Sequence, residues 1–122
     1  YKDLPWQGFE AKDLIATIDL GKLTTINEVK TRFLQSQVFW IFLPKKIEIE
    51  HSVDGKNFEL LYESFPKNDF SFVQKIFTYS VNPKNIKTKY VRVKAMNINE
   101  CPEYHPGSGG PSWIFSDEIV IN

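Results

Sequence analysis

Lys46-Ile47-Glu48-Ile49-Glu50-His51-Ser52-Val53-Asp54-Gly55-Lys56-Asn57-Phe58-Glu59-Leu60 is the stretch that decides the fold class. Ile47, Ile49 and Val53 alternate with Lys46, Glu48, Glu50 and Ser52. That period of two is a strand with one face buried and one in water. Asp54-Gly55 then predicts a tight hairpin, because both central positions of such a turn favour positive φ. Phe58, Leu60 and Tyr62 resume the alternation on the return strand.

Further β-like runs lie on either side. Leu14-Ala16-Ile18-Leu20 alternates and stops at Gly21, and Ile26 to Gln35 is rich in β-formers. Phe70 to Tyr79, Lys89 to Met96 and Trp113 to Ile121 complete the set. The best helical window, Lys22 to Lys30, carries Thr24, Thr25, Ile26 and Val29, whose branched side chains disfavour a helix. Roughly seven or eight short strands without a helix predict an all-β antiparallel sandwich. Three aromatic loops join them: Tyr1 to Lys12 with Trp6, Ser36 to Pro44 with Phe39 and Trp40, and Asn97 to Ser112 with Tyr104 and His105. The third is about 16 residues long, a length usually kept for function.

The chain has 122 residues, of which 42% are hydrophobic and 25% charged, the composition of one globular domain. Fifteen Lys and Arg balance fifteen Asp and Glu. Zero net charge argues against a nucleic-acid binder and against a polybasic membrane-surface protein. The longest apolar run, Val38 to Leu43, has six residues, far below the ~20 that span a bilayer. The lone Cys101 excludes an internal disulfide framework and Cys-based zinc. No signal peptide is visible, and the start on Tyr1 predicts a piece excised from a longer protein. Aromatic residues reach 15%, more than a small core needs, so some rings are expected at a recognition surface.

Asp19-Leu20-Gly21 followed by Thr25-Ile26-Asn27-Glu28-Val29 resembles the opening of discoidin-like, coagulation factor V/VIII type C domains. The stretch from Ile47 to Phe58 resembles their Ser-x-Asp-Gly hairpin, Lys89-Tyr90-Val91-Arg92-Val93 their Arg-Tyr-Val-Arg strand, and Ser116-Asp117-Glu118-Ile119 their closing Glu-Ile. Trp6-Gln7-Gly8-Phe9-Glu10, Trp40-Ile41-Phe42-Leu43-Pro44 and Trp113-Ile114-Phe115 are similar to bacterial carbohydrate-binding modules of family 32 appended to β-hexosaminidases and related hydrolases. The resemblance implies a galactose-binding-like jelly roll with sugar held by loops at one end, and a structural calcium. It implies a single secreted, periplasmic or cell-surface bacterial domain, monomeric and covalently linked to a glycoside hydrolase. The resemblance also implies that the family's first strand would precede Trp6 and is expected to be missing here.

A sugar ring shows a flat C–H patch ringed by hydroxyls, so an exposed aromatic with polar neighbours matches it. The candidates are Trp40, Phe39, Tyr104, His105 and Trp113, with Arg32 and Gln35 at the end of the strand that feeds the Trp40 loop. The expected ligands are galactose, N-acetylgalactosamine or N-acetylglucosamine. Trp113 and Phe115 also share parity with Ile119 and Ile121, which would place them in the core. Arg32 is equally well read as a surface ion pair, and His105 as a group that bonds the loop backbone. Glu118 is the implied calcium ligand, with Asp3 a possible second. Its parity with Ile114 and Val120 would turn it inward, where a cation or a Lys or Arg partner must answer its charge. Asp117 and Glu118 should point to opposite faces, so they do not form a glycosidase pair, and no nucleophile elbow or metalloprotease motif occurs. The expectation is a non-catalytic module. A membrane or protein adhesion domain and a spacer docked on its own enzyme are the alternatives.

Overall fold

The structure, a computed structural model, describes residues 7–122. Its strands are β1 (Gln7–Glu10), β2 (Leu14–Ile26), β3 (Val29–Gln35), β4 (Lys46–Ser52), β5 (Glu59–Ser64), β6 (Lys75–Val81), β7 (Ile86–Met96) and β8 (Trp113–Ile121). They form two four-stranded sheets in the orders β1-β8-β3-β6 and β2-β7-β4-β5. That interleaving is a jelly roll, as expected. Every strand pairing is antiparallel, so successive connections alternate between the two ends. Residues 11–13, 36–45, 65–74 and 97–112 therefore meet at one end, called the apex here.

The sheets press their alternating inner residues together. Phe33, Leu43, Ile47, Ala95 and Ile114 fill the apex half of the core, and Ile26, Val29, Ile49, Val91 and Val93 the other half. Each fully buried side chain of the larger kinds contributes about 1.5–3 kcal/mol.

Four local expectations change. β2 does not stop at Gly21. It runs on through an irregularity between Asp19 and Thr24, where Gly21 takes φ +84° and gives its N–H to Asp19 Oδ1. The Asp54-Gly55 connection is a wider loop, 53–58, in which only Gly55 has positive φ. Asp54 organises it by accepting the N–H groups of Lys56 and Asn57 at 2.8 Å. Phe70 and Phe72 belong to an apex loop, since β6 begins only at Lys75.

The fourth change is in β8. Phe33 pairs with Ser116, but Thr31 pairs with Ile119, so Asp117 and Glu118 together oppose Arg32. This is a β-bulge, one extra residue that shifts the inward parity. Ile114 faces the core before the bulge, and Ile119 and Ile121 face it after. Trp113 and Phe115 therefore lie on the outer face of the sheet, tilted against each other over Gly8 with ring centres 5.7 Å apart. Asp117 and Glu118 do not split to opposite faces: Arg32 bonds the buried Asp117 carboxylate through Nη2 and Nε, and Glu118 Oε1 is 3.9 Å from Nε.

Candidate functional site

The apex is built on loop 36–45. Ser36 and Ile41 exchange both backbone hydrogen bonds at 3.0 Å and close a loop around the short 3₁₀ turn Gln37–Phe39. Trp40 ends that turn at φ +64°. The closed turn pushes Val38 and Phe39 into solvent, and Phe39 is 69% exposed. The Trp40 carbonyl accepts the Trp113 N–H at 2.9 Å, and Trp113 O accepts the Phe42 N–H at 2.9 Å, so this loop is stitched to the start of β8. The Trp40 ring lies on Gly107 and Gly110. A Cβ on either glycine would come within 2.6 Å of it.

Loop 97–112 is anchored by Asn97, which is wholly buried. Its Nδ2 reaches Phe9 O at 2.9 Å and Lys12 O at 3.1 Å, and its Oδ1 accepts Ser112 Oγ–H and Asn99 N–H at 2.8 Å. Farther along, His105 Nδ1 accepts the Gly107 N–H at 2.9 Å, so Nε2 carries the hydrogen and donates it to Gln37 O at 2.6 Å. The His105 ring is packed among Trp40, Phe42 and Phe72. Tyr104 directs its hydroxyl inward to Gln37 Oε1 at 2.7 Å.

Loop 65–74 closes the apex. Asn68 accepts the Leu43 N–H at 2.7 Å through Oδ1. Asp69 Oδ1 accepts Gln35 Nε2 at 2.8 Å and Ser71 N–H at 2.9 Å, and Oδ2 accepts Lys75 Nζ at 2.7 Å. The Lys75 bond, with the Ser71 N–H and Gln35 bonds behind it, holds the Asp69 carboxyl at about 2. The Asp69 carbonyl accepts Gln37 Nε2 at 2.7 Å. Phe70 stands out of this knot, 75% exposed, edge-on to Tyr104 with ring centres 4.7 Å apart. Phe72 stacks on His105.

The structure thus gathers Phe39, Trp40, Tyr104 and His105 at one end. Phe39, Trp40 and Tyr104 reach solvent, the last two at 37% and 41% exposure. His105 is buried and spends both ring nitrogens on loop backbone. Gln35 faces the interior, fully buried, and supports Asp69 rather than the surface. Trp113 joins the apex by backbone only, its ring lying on the outer face. Arg32 is on that same outer face, engaged by the two acids of the bulge. Asp3 lies outside the described residues. Sequence reading missed the third loop, with Asp69, Phe70 and Phe72. Once the strands are counted, the alternation of connections between the two ends of an antiparallel sandwich points to it.

Glu118 Oε2 is buried and has no hydrogen-bond partner, the kind of atom that a cation would satisfy. Among the described residues, no group of three or more Asp, Glu, His or Cys side chains is placed to hold a metal. Calcium takes six to eight oxygens, so Glu118 would supply one and backbone carbonyls would have to supply most of the others.

A family model for the F5/8 type C domain matches residues 5–113. A search of curated protein sequences returns no match. Among solved structures, CpGH89CBM32-6, produced by Clostridium perfringens, is similar over 94% of this chain and 75% of its own, with 18% identity and a TM-score of 0.58. CpGH89CBM32-5 from Clostridium perfringens, in complex with GalNAc-β-1,3-galactose, is similar over 95% and 73%, with 20% identity and a TM-score of 0.52. The K2 cleaved adhesin domain of Lys-gingipain is similar over 96% and 88%, with 15% identity and a TM-score of 0.52. At these identities the likeness is one of fold.

Proposed function

We propose that this chain, which belongs to the F5/8 type C domain family, is a non-catalytic carbohydrate-binding module whose apex loops hold a galactose- or N-acetylhexosamine-type glycan. The observation that carries the reading is the gathering of exposed aromatic rings from separate loops at one end, Trp40 and Tyr104 beside a buried His105, with Phe39 exposed on the same loop as Trp40. Exposed rings cost hydrophobic free energy, and the loops beneath them are tied by buried hydrogen bonds, which is the expense of a preformed contact surface. The glycan-bound Clostridium module of the same fold supports the choice of ligand. Within this reading the domain is secreted or held at a cell surface and is tethered to a glycoside hydrolase. Weak single-site binding then suffices, because the tether supplies a high effective concentration.

The test is calorimetric titration of galactose, N-acetylgalactosamine and N-acetylglucosamine into the wild type and Phe39→Ala. Phe39 is so exposed that its loss leaves the fold intact. The wild type should bind at least one sugar, and the variant should lose about 1 kcal/mol, near fivefold. Binding to none of them would refute the reading. A second reading, insertion into a lipid interface, is favoured by one observation: the exposed apex side chains Val38, Phe39, Phe70 and Val73 are apolar. Co-sedimentation with liposomes in the absence of sugar binding would select it.

Structural calcium is a separate proposal and rests on the buried, unpartnered Glu118 Oε2. Calcium bound to the folded state should raise the melting temperature over that in chelator, and Glu118→Gln should abolish the difference. Equal melting temperatures in calcium and chelator would refute it.

A further inference from the structure

Resting on the sugar-binding reading, we infer that loop 65–74 supplies the stacking platform of the site: Phe70, set against Tyr104, takes the C–H face of a pyranose ring, and Asp69 is the positioning residue that fixes it there.

Phe70 is the most exposed large apolar side chain among the described residues at 75%, yet its backbone is held on both sides. Asp69 before it accepts the N–H of Ser71 after it, closing a tight turn. The same Asp69 is bound through Oδ1 to Gln35 of β3, and through its carbonyl to Gln37 of loop 36–45. Both glutamines are fully buried, so a rigid base carries the ring. Tyr104 is pinned to that base by its hydroxyl bond to Gln37.

The two rings meet at 75°, with centres 4.7 Å apart, and make a corner. A corner of two ring faces fits a flat C–H patch against one wall and a substituent against the other. Trp40 is less suited to this task. Its ring is laid on Gly107 and Gly110, in contact too close to admit a Cβ. The Tyr104 hydroxyl, the Gln37 amide and both nitrogens of His105 are spent on internal bonds. Lys75 is paired with Asp69. Recognition at this corner therefore proceeds through ring faces, and its ligand class is the pyranose. Phe70 touches Tyr104, and Phe72 touches His105, so the platform is continuous with the residues of the proposed site.

The experiment titrates galactose, N-acetylgalactosamine and N-acetylglucosamine into the whole chain and five variants, Phe39→Ala among them, with thermal melts as fold controls. Phe70→Ala should lose about fivefold or more in affinity with an unchanged melt, and Phe70→Trp should keep it. Asp69→Ala should weaken binding without touching the ligand. Asp69→Asn, which retains an oxygen for Gln35 and Ser71, should restore it. Phe70→Ala binding as the wild type does, while Phe39→Ala is impaired, would overturn this inference and leave the sugar reading standing. Asp69→Ala binding at full affinity would overturn the positioning role. A wild type that binds none of the sugars would overturn both.

Discussion

Replacing Asn97 by Ala should cost about 3–5 kcal/mol without removing any hydrophobic contact of size. The Asn97 side chain sits wholly buried where β1, loop 11–13 and loop 97–112 meet. Truncation leaves the Asn99 N–H and the Ser112 hydroxyl without the acceptor they share, and Lys12 O without its donor. Ser112 O loses less, since it still accepts the Ala11 N–H at 2.8 Å. Each buried polar group left unsatisfied costs about 1–3 kcal/mol. Ser112 is such a group, and the bonds lost by the Asn99 N–H and Lys12 O, which belong to exposed residues, add about 0.5–1.5 kcal/mol each, so the sum reaches the quoted range, a large fraction of the about 5–15 kcal/mol that holds a domain together. Urea unfolding measures it as a lower midpoint at unchanged slope. Asn97→Asp restores the acceptor but turns a carboxylate toward the carbonyls of Phe9 and Lys12. It should be at least as damaging at neutral pH. A loss below about 1 kcal/mol in Asn97→Ala would refute the reasoning, because water or loop movement would then be replacing the side chain at little cost.

Arg32→Met should destabilise by about 2–3 kcal/mol, because the buried Asp117 carboxylate loses its partner while Arg32 itself is partly solvated; adding Asp117→Leu should recover much of the loss in the same urea assay. Gly107→Ala must push the Trp40 ring aside, since the new Cβ would lie 2.6 Å from it. It should cost about 1–3 kcal/mol and shift the tryptophan emission, and unchanged emission would show that the loop simply yields. Asp69 has its carboxyl depressed from the usual 3.8 to about 2, so its contribution is fully present above pH 3.8 and is lost as pH falls through about 2. Asp69→Asn should therefore lose less stability than the wild type over that interval in acid titrations followed by circular dichroism.

The two-sheet architecture was legible because burial on one face writes itself into alternation, as in Ile47 and Ile49 against Glu48 and Glu50. The exposure of Trp40 and Tyr104 was legible from their place in loops. The outward turn of Trp113 and Phe115 was not. A bulge inserts one residue without a compositional mark, and Ser116-Asp117-Glu118-Ile119 reads as ordinary alternation until its pairing with β3 is known. The fate of Gln35 was hidden for a related reason. It continues the inward series Val29, Thr31, Phe33, and only the third loop gives its amide an acceptor, Asp69.

Asp69-Phe70-Ser71-Phe72 failed in a more instructive way. Its strict alternation of polar and apolar residues is also the pattern of a half-buried strand. In the structure the polar members are doing something else. Asp69 Oδ1 accepts the N–H of Ser71, and Ser71 Oγ accepts the N–H of Val73, each side chain bonding the backbone two residues on. Two such turns in succession also have a period of two. They put the backbone's hydrogen bonds onto its own side chains, so the segment needs no neighbouring strand. They leave Phe70 and Phe72 unburied by any sheet, free to face the ring of Tyr104 and the ring of His105. The two readings of one pattern differ in what Asp and Ser can do that Lys, Glu and Thr in β4 and β6 do less readily: satisfy the main chain locally. Changing Ser71 to Val should therefore favour extended structure in this segment and loosen the platform, reducing sugar affinity while leaving the core intact. An affinity equal to that of the wild type would mean that the Asp69 bonds alone hold Phe70 in place.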